Sequence, residues 1–152
     1  MDAVVFRRAE PDDLPAIVAM LADDALGRAR EAPDLPLLQD YTDAFATIER
    51  DPNQLLIVAV RAGKVVGTLQ VTFIPGISHK GAWRGEIEGV RIAAGQRGSG
   101  LGRRMLEWAI DQCRARGCRM VQLTTNRART DAQRFYAQLG FTPSHVGFKL
   151  TF

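Results

Sequence analysis

Residues 85–116 constrain this chain more than any other stretch. An alternating segment, Gly85 to Ala93, runs into Arg97-Gly98-Ser99-Gly100-Leu101-Gly102, and a helix-period segment from about Gly100 to Arg116 follows. Alternation at period two places Glu86 and Glu88 on one face of a strand and Ile87 and Gly89 on the other. Leu101, Met105, Trp108, Ala109 and Gln112 recur at helical spacing, and Gly117 sits where a C-terminal cap belongs. A strand, a glycine-rich turn and a helix in this order make an anion cradle. The glycines let the backbone approach a ligand closely, and the first helical turn offers unpaired N–H groups and the positive end of its dipole to a phosphate. Arg97 and Arg103 flank the turn. A dinucleotide-binding reading fails, because the neighbouring elements are not strand–helix–strand repeats and no acidic residue ends a strand about 20 residues on. A Walker loop fails too, since no Gly-Lys-Ser/Thr closes the turn.

The remaining elements follow from punctuation and period. Ala3 to Arg8 reads as a first strand. Pro11, with Asp12 and Asp13 in the first turn, opens a helix along Leu14, Ile17, Val18, Leu21 and Ala25 that Gly27 can stop. Leu37, Leu38, Tyr41, Phe45 and Ile48 mark a second amphipathic helix, ended before Pro52. Gln54 to Val60 and Val65 to Ile74 form a hairpin about Ala62-Gly63, and residues 75–84 form a loop. Met120 to Thr125 is a short strand, Asp131 to Leu139 a helix, and His145 to Phe152 a last strand. The order is β-α-α-β-β-β-α-β-α-β. It predicts an α/β (α+β) chain with a mixed, mostly antiparallel central sheet and about four flanking helices. Residues 1–152 suit one domain, with no repeat or internal linker.

Charge is divided along the chain. Residues 1–60 hold 5 basic and 12 acidic groups, whereas residues 91–134 hold 10 arginines and 3 acids. The second region is suited to anions, and 17 of the 20 basic residues are arginine, which suits bidentate phosphate contacts. No nucleic-acid motif and no interleaved aromatics accompany the basic stretch, so a nucleic-acid partner is not expected. No apolar run is long enough to span a bilayer and no signal pattern opens the chain, which points to a cytoplasmic protein without a membrane partner. Cys113 and Cys118 are too few for a disulfide framework and too sparse for zinc, and no metal is expected.

Two motifs carry a family resemblance. Arg97-x-x-Gly100-x-Gly102 resembles the acetyl-CoA signature of the GNAT N-acetyltransferases. Asp131-Ala132-Gln133-Arg134-Phe135-Tyr136-Ala137-Gln138-Leu139-Gly140-Phe141 is similar to that family's A-x-x-F-Y-x-x-L-G-F element. The two lie at the family's separation, and the element order matches over essentially the whole chain. Gly85-Glu86-Ile87-Glu88 and the stretch from Leu123 to Tyr136 look most like the aminoalkylphosphonate N-acetyltransferases and similar bacterial acetyltransferases.

The resemblance implies a GNAT fold with a splayed cofactor-binding strand and acetyl-CoA as cosubstrate. Backbone groups of Val90 and Ile92 would pair with the pantetheine arm. The N–H groups of Gly98, Ser99, Gly100, Leu101, Gly102 and Arg103, with Arg97 and Arg134 nearby, would hold the pyrophosphate. Tyr136 matches the position that protonates the departing thiolate, and Glu86 that of the catalytic glutamate. The chain has Arg129 where the family often has Asn, and Asn126 stands nearby as a substitute. A homodimer is implied by the resemblance as well.

The chemistry itself asks for a base, because an amine is protonated at neutral pH and must lose a proton before it attacks a thioester. Glu86 and Glu88 supply two carboxylates on one strand face, and their mutual repulsion raises one pKa. The expected activity is direct acetyl transfer to the primary amine of a small molecule, such as an aminoalkylphosphonate. Two alternatives stay open: acetylation of a protein or peptide amine, and a non-catalytic regulatory module that senses CoA.

Overall fold

The computed structural model describes residues 2–152. Five strands lie side by side in chain order: β1 (Val4–Arg8), β2 (Gln54–Arg61), β3 (Lys64–Ile74), β4 (Arg84–Ile92) and β5 (Met120–Leu123). The first four are antiparallel, and β5 joins β4 in parallel. Six helices surround them: α1 (Leu14–Ala22), α2 (Ala25–Arg28), α3 (Gln39–Arg50), α4 (Ser78–Gly81), α5 (Leu101–Ala115) and α6 (Thr130–Gln138). α2 and α4 are single turns, so the four longer helices match the sequence expectation.

Alternation along β2 divides the core into two layers. Ile57 and Ala59 face one cluster with Leu69, Val71 and Ile87, against Leu101, Met105, Leu106, Ala109 and Cys113 of α5. Val58, between them, faces Ala9, Leu14, Ile17 and Val18 of the α1 side and Phe45 of α3. Helices on both faces therefore bury the middle of the central strands, and this is why β2 reads as a nearly continuous apolar run. Leu106, which the helical pattern leaves off the core face, is fully buried, whereas Trp108, which it places there, is half-buried beside Phe6 at 5.9 Å between ring centroids.

Three sequence expectations are corrected here. The helix that begins near Pro11 does not run to Gly27. A 3-10 turn (Pro11–Asp13) leads into α1, the chain breaks at Asp23, and Asp24 caps α2 by accepting from the Gly27 amide at 2.6 Å. Gly27 thus lies inside a capped turn. Second, Gly89 does not share a face with Ile87. The β3–β4 ladder shifts by one residue between Thr68 and Gln70, and a side chain at Gly89 would meet Leu21 of α1, at 3.7 Å, on the other side from α5. Third, residues 145–152 form no strand. Their apolar alternation is real, but a strand exists only where an edge pairs with it, and no strand of this sheet does.

β4 meets α5 without any spacer. A Cβ placed on Gly85 would stand 2.3 Å from the sulfur of the buried Cys113. Overpacking at such a contact typically costs about 1–3 kcal/mol. Gly85→Ala is expected to destabilise the fold by about that amount, and Cys113→Ala in the same chain should recover part of the loss. Denaturant unfolding of the two single variants and the double variant checks this; strict additivity would show that the two residues do not share the space.

Candidate active site

The geometry of the site begins where β4 and β5 part. Their parallel ladder runs only from Arg84 opposite Met120 to Ile87 opposite Leu123. Beyond Ile87, β4 continues for five residues against β3 alone, and its other edge is unzipped. The Val90 carbonyl on this stretch accepts from Arg91 Nη1 at 2.8 Å, and the Ile92 carbonyl accepts from Arg97 Nε at 3.4 Å.

The glycine turn follows after one 3-10 turn (Ala94–Gln96). Gly98 and Gly100 have φ of +79° and +81°, a left-handed conformation that glycine adopts without penalty, and Gly100 caps α5. A side chain at either position would point into open space. Among the described residues, no group accepts from the amides of Gly98, Gly100, Leu101, Gly102 or Arg103, whereas Ser99 N reaches Gln96 O at 3.3 Å. Five orphan donors at the head of a fifteen-residue helix form the anion cradle that the glycine spacing predicts. Beside it an open cleft of about 470 Å³ runs along Ala19, Met20 and Asp23 of the α1 end to Ala93 and Ala94.

Glu86 and Glu88 do share a face of β4, opposite Thr72 and Gln70 of β3. The Glu88 carboxyl keeps an exposed rim, but the atoms crowding it strip enough water to raise its pKa. Repulsion from Glu86 adds to this, and the ammonium of Lys149 partly offsets it. Tyr136 on α6 packs against Phe135 and Phe141, and burial raises its phenol pKa against the opposing pull of Arg91 and Arg129. A phenol so placed stays protonated at neutral pH and is a proton donor.

Sequence reasoning missed one cluster. Asp24, which no motif or spacing singles out, receives two bonds from Arg129, Nη1 to Oδ2 at 2.7 Å and Nη2 to Oδ1 at 3.3 Å. Arg91 Nε approaches the same carboxylate at 3.5 Å. The Arg129 hydrogen bonds hold the Asp24 carboxyl down at about 2. Its contribution to stability is present above the ordinary carboxylate range and is lost as pH falls through about 2. The cluster ties the α1–α2 corner to β4 and to the loop before α6. Arg129 therefore has a defined task in place of the expected Asn. Asn126 Oδ1 accepts from the Ala128 amide at 2.9 Å, shaping that same loop. Arg134 pairs with Asp131 on the exposed face of α6, and Arg103 pairs with Glu107 at 2.8 Å along α5.

Other polar and aromatic residues have structural tasks. The Tyr41 hydroxyl accepts from the Ala32 amide at 3.0 Å and donates to Glu31 at 2.9 Å, pinning the loop after α2. His79 is exposed in the α4 turn, and its carbonyl accepts from Arg119 at 3.1 Å. His145 lies exposed beside Ser144. Burial pushes the Cys113 thiol up to about 11 and raises that of Cys118, so neither is a thiolate near neutral pH.

Comparison with known proteins follows the same lines. Residues 16–141 match the model of the acetyltransferase (GNAT) family. The aminoalkylphosphonate N-acetyltransferase of Salmonella typhimurium is 36% identical over 110 residues, covering 72% of this chain and 71% of that protein. The crystal structure of a transcriptional regulator from Bacillus halodurans is 49% identical and superposes with a TM-score of 0.96, covering 99% of this chain and 100% of the other. An acetyltransferase from Trypanosoma brucei is 25% identical with a TM-score of 0.80, over 99% of this chain and 100% of its own. No helix among the described residues is long and apolar enough to cross a membrane.

The coupling of the two carboxylates has a direct readout. Removing the Glu86 charge with Glu86→Gln should lower the Glu88 pKa toward the ordinary carboxylate value, since one of the two upward pushes is gone. Carboxyl-carbon NMR titration measures it. Because the folded state raises the Glu88 pKa, its ionisation opposes folding as pH rises through the carboxylate range. Glu88→Gln should therefore raise the melting temperature at neutral pH and not in acid. An unchanged Glu88 titration in Glu86→Gln would show that the two groups do not interact.

Proposed function

The chain belongs to the acetyltransferase (GNAT) family, and from that premise we propose that it transfers the acetyl group of acetyl-CoA to the primary amine of a small molecule by direct attack. The observation that carries this reading is the run of unpartnered amides at the head of α5, continuous with the unzipped edge of β4. A pyrophosphate needs donors in that arrangement, and an extended amide-bearing arm needs a strand edge with no occupant. The left-handed positions that shape the turn, Gly98 and Gly100, are glycines. Acetyl-CoA, when bound, supplies an activated thioester carbonyl to the amine.

The rest is the work of this chain's residues. Gly98 and Gly100 to Arg103 hold the pyrophosphate through their amides, with Ser99 lining the turn and Arg97 and Arg134 contributing charge nearby. The free edge of β4 at Val90 and Ile92 holds the pantetheine arm, and a β4 amide polarises the carbonyl. The Glu86–Glu88 pair takes the proton from the incoming ammonium. Glu86 holds the family position, while Glu88 is the carboxyl whose affinity for a proton is raised and so moved toward that of a useful base. Tyr136 gives its proton to the leaving sulfur. Cys113 and Cys118, both held as thiols, take no part, and no acetyl-cysteine forms.

An aminoalkylphosphonate-like acceptor is supported by the likeness to the aminoalkylphosphonate N-acetyltransferase of Salmonella typhimurium. A small amine that carries an acid group suits a site with Arg91 and Arg129 beside it, two guanidiniums that share the single carboxylate of Asp24. The protein works as a homodimer in the cytoplasm. A CoA-sensing regulator would bind the same cofactor without turnover, and a peptide acetyltransferase would prefer a peptide amine. Thiol release from acetyl-CoA, screened against aminoalkylphosphonates, polyamines, amino acids, aminoglycosides and peptides, separates the three.

Two variant series test the assignment. Gly100→Val forces a β-branched side chain into a left-handed conformation and into the cradle's open space. Calorimetry should find acetyl-CoA affinity at least tenfold weaker in a folded variant, and an unchanged affinity would move the cofactor elsewhere. For the base, loss of a positioned carboxylate should cost about 10²–10⁴-fold in rate. The variant deficient in the base should be worst at neutral pH and recover as pH rises and free amine accumulates. Tyr136→Phe should lower kcat with acetyl-CoA binding nearly intact. If Glu86→Gln and Glu88→Gln both match the parent at every pH, neither carboxylate is the base.

A further inference from the structure

β4 advances three residues where β3 advances two. Gln70 stands opposite Glu88 and Thr68 opposite Arg91, and within that shift Gly89 takes a left-handed φ of +62°. In an unbroken strand Arg91 would lie on the opposite face from Glu88, because side chains alternate. The bulge cancels one step of that alternation. Val90 and Ile92 pack on the α5 side, and Arg91 between them turns to the α1 side, where its Nε lies 3.5 Å from Asp24. Glu88 and Arg91 therefore share one face. They stand about 7 Å apart along the sheet, the length of two strand residues.

These two charges do not neutralise each other. The charged neighbours of Glu88 are Glu86 and Lys149, whereas those of Arg91 are Arg129, Asp24 and Arg30. Glu88 and Gly89 are exposed, so the floor between the two charges is open and carries no side chain at its middle. Arg91 donates from Nη1 to its neighbour's carbonyl, while its Nε makes no hydrogen bond among the described residues. A guanidinium has five donors, and this one has few acceptors around it. Asp24 is the one carboxylate that faces both Arg91 and Arg129, which leaves a surplus of positive charge.

We propose that this face of β4 is a two-point seat for a short acceptor carrying both a primary amine and an acid group, with the ammonium at Glu88, the acid group at Arg91, and Asp24 as a resident carboxylate that competes for the same guanidinium. Resting on the acetyl-transfer reading, the seat sets two further properties of the acceptor, its direction along the strand and its length.

Direction follows from charge. The reverse orientation would set an acid group against the Glu86–Glu88 pair and an ammonium against two guanidiniums, with like charges at both ends. In the forward orientation the amine lies near Ile87, where β5 leaves β4, and the acid end points toward the α1–α2 corner. Length follows from the interval between the two charges. With a hydrogen bond of about 2.9 Å at each end, a short aliphatic chain fits between them. A hexyl chain must buckle or leave one end unmet, and a neutral amine uses one point only. Asp24 sets the strength of the acid end. Asp24→Asn removes the competing charge and keeps a side-chain oxygen for the Gly27 amide, which Asp24 Oδ1 now accepts at 2.6 Å.

Thiol release from acetyl-CoA by the unmodified protein compares 2-aminoethylphosphonate with 6-aminohexylphosphonate and with propylamine. kcat/KM should be roughly tenfold or more higher for the first than for either of the others, the size of one charge-assisted hydrogen bond. Equal values in either comparison overturn the proposal. Arg91→Gln should raise KM for 2-aminoethylphosphonate roughly tenfold more than KM for propylamine. Asp24→Asn should lower KM for 2-aminoethylphosphonate. A merely structural Asp24 predicts the opposite sign, so a raised KM in the folded variant overturns the seat. Calorimetry with methylphosphonate reads the acid end without turnover. It should bind the parent, bind Arg91→Gln more weakly and bind Asp24→Asn more tightly. If no amine releases thiol, the acetyl-transfer reading fails and this titration still decides the acid end. No binding to the parent, or binding indifferent to both substitutions, overturns the seat. Should Arg91→Gln fail to fold, the three-amine comparison and Asp24→Asn decide by themselves.

Discussion

The structure turns on the short ladder between β4 and β5. β4 satisfies its backbone on one side along β3, but on the other side it pairs with β5 only as far as Ile87. A strand buried in a sheet and still unpaired on one edge is costly unless something else takes up its polar groups. Here arginine side chains reach the carbonyls of Val90 and Ile92, and the one-residue shift of the β3–β4 ladder bends the strand at the same place. The opening leads through one 3-10 turn to the glycine turn, whose amides are unpartnered. The strand edge that β5 leaves open and the unpartnered amides of the turn therefore form one continuous track, from the carboxylate pair to the head of α5. The buried contact of Gly85 with Cys113 at the start of β4 holds the strand against α5 and sets the track's position.

Electrostatics completes what the backbone begins. The acidic first third and the arginine-rich last third of the chain are brought together at Asp24, which two arginines share. Asp23 meets Arg97 in the same way at 3.4 Å, across the mouth of the cradle. Surface pairs of this kind contribute little to stability singly. The Asp24 cluster differs in being only a quarter exposed and held bidentately. Its excess of positive charge lies beside Tyr136, where it favours an anion or the phenolate over a free cation.

Much of this was legible in the primary structure because it depends on local rules. The glycines of the cradle, the helical period of α5 and the alternation of Glu86 and Glu88 each follow from the residues themselves. The roles of Asp24 and Arg129 were not legible, since 105 residues separate the two and no local spacing announces a pair at that distance. The break at Asp23 was hidden for a related reason: Leu21 and Ala25 keep the helical period across it, while the capping bond from Gly27 that rewards the break is a three-dimensional event.

The sequence by itself determined the order of elements, the anion cradle and the residue types able to do acid–base work, because periodicity, glycine geometry and ionisable chemistry belong to neighbouring residues. Tertiary structure alone decided which carboxylate is desolvated, where β4 leaves β5, and which distant arginines share Asp24, because burial and charge contact depend on what the rest of the chain places nearby. The last segment shows the division most clearly. From Val146 to Phe152 the alternation specifies a strand, but a strand is a relation between two edges, and the fold places no partner edge against it.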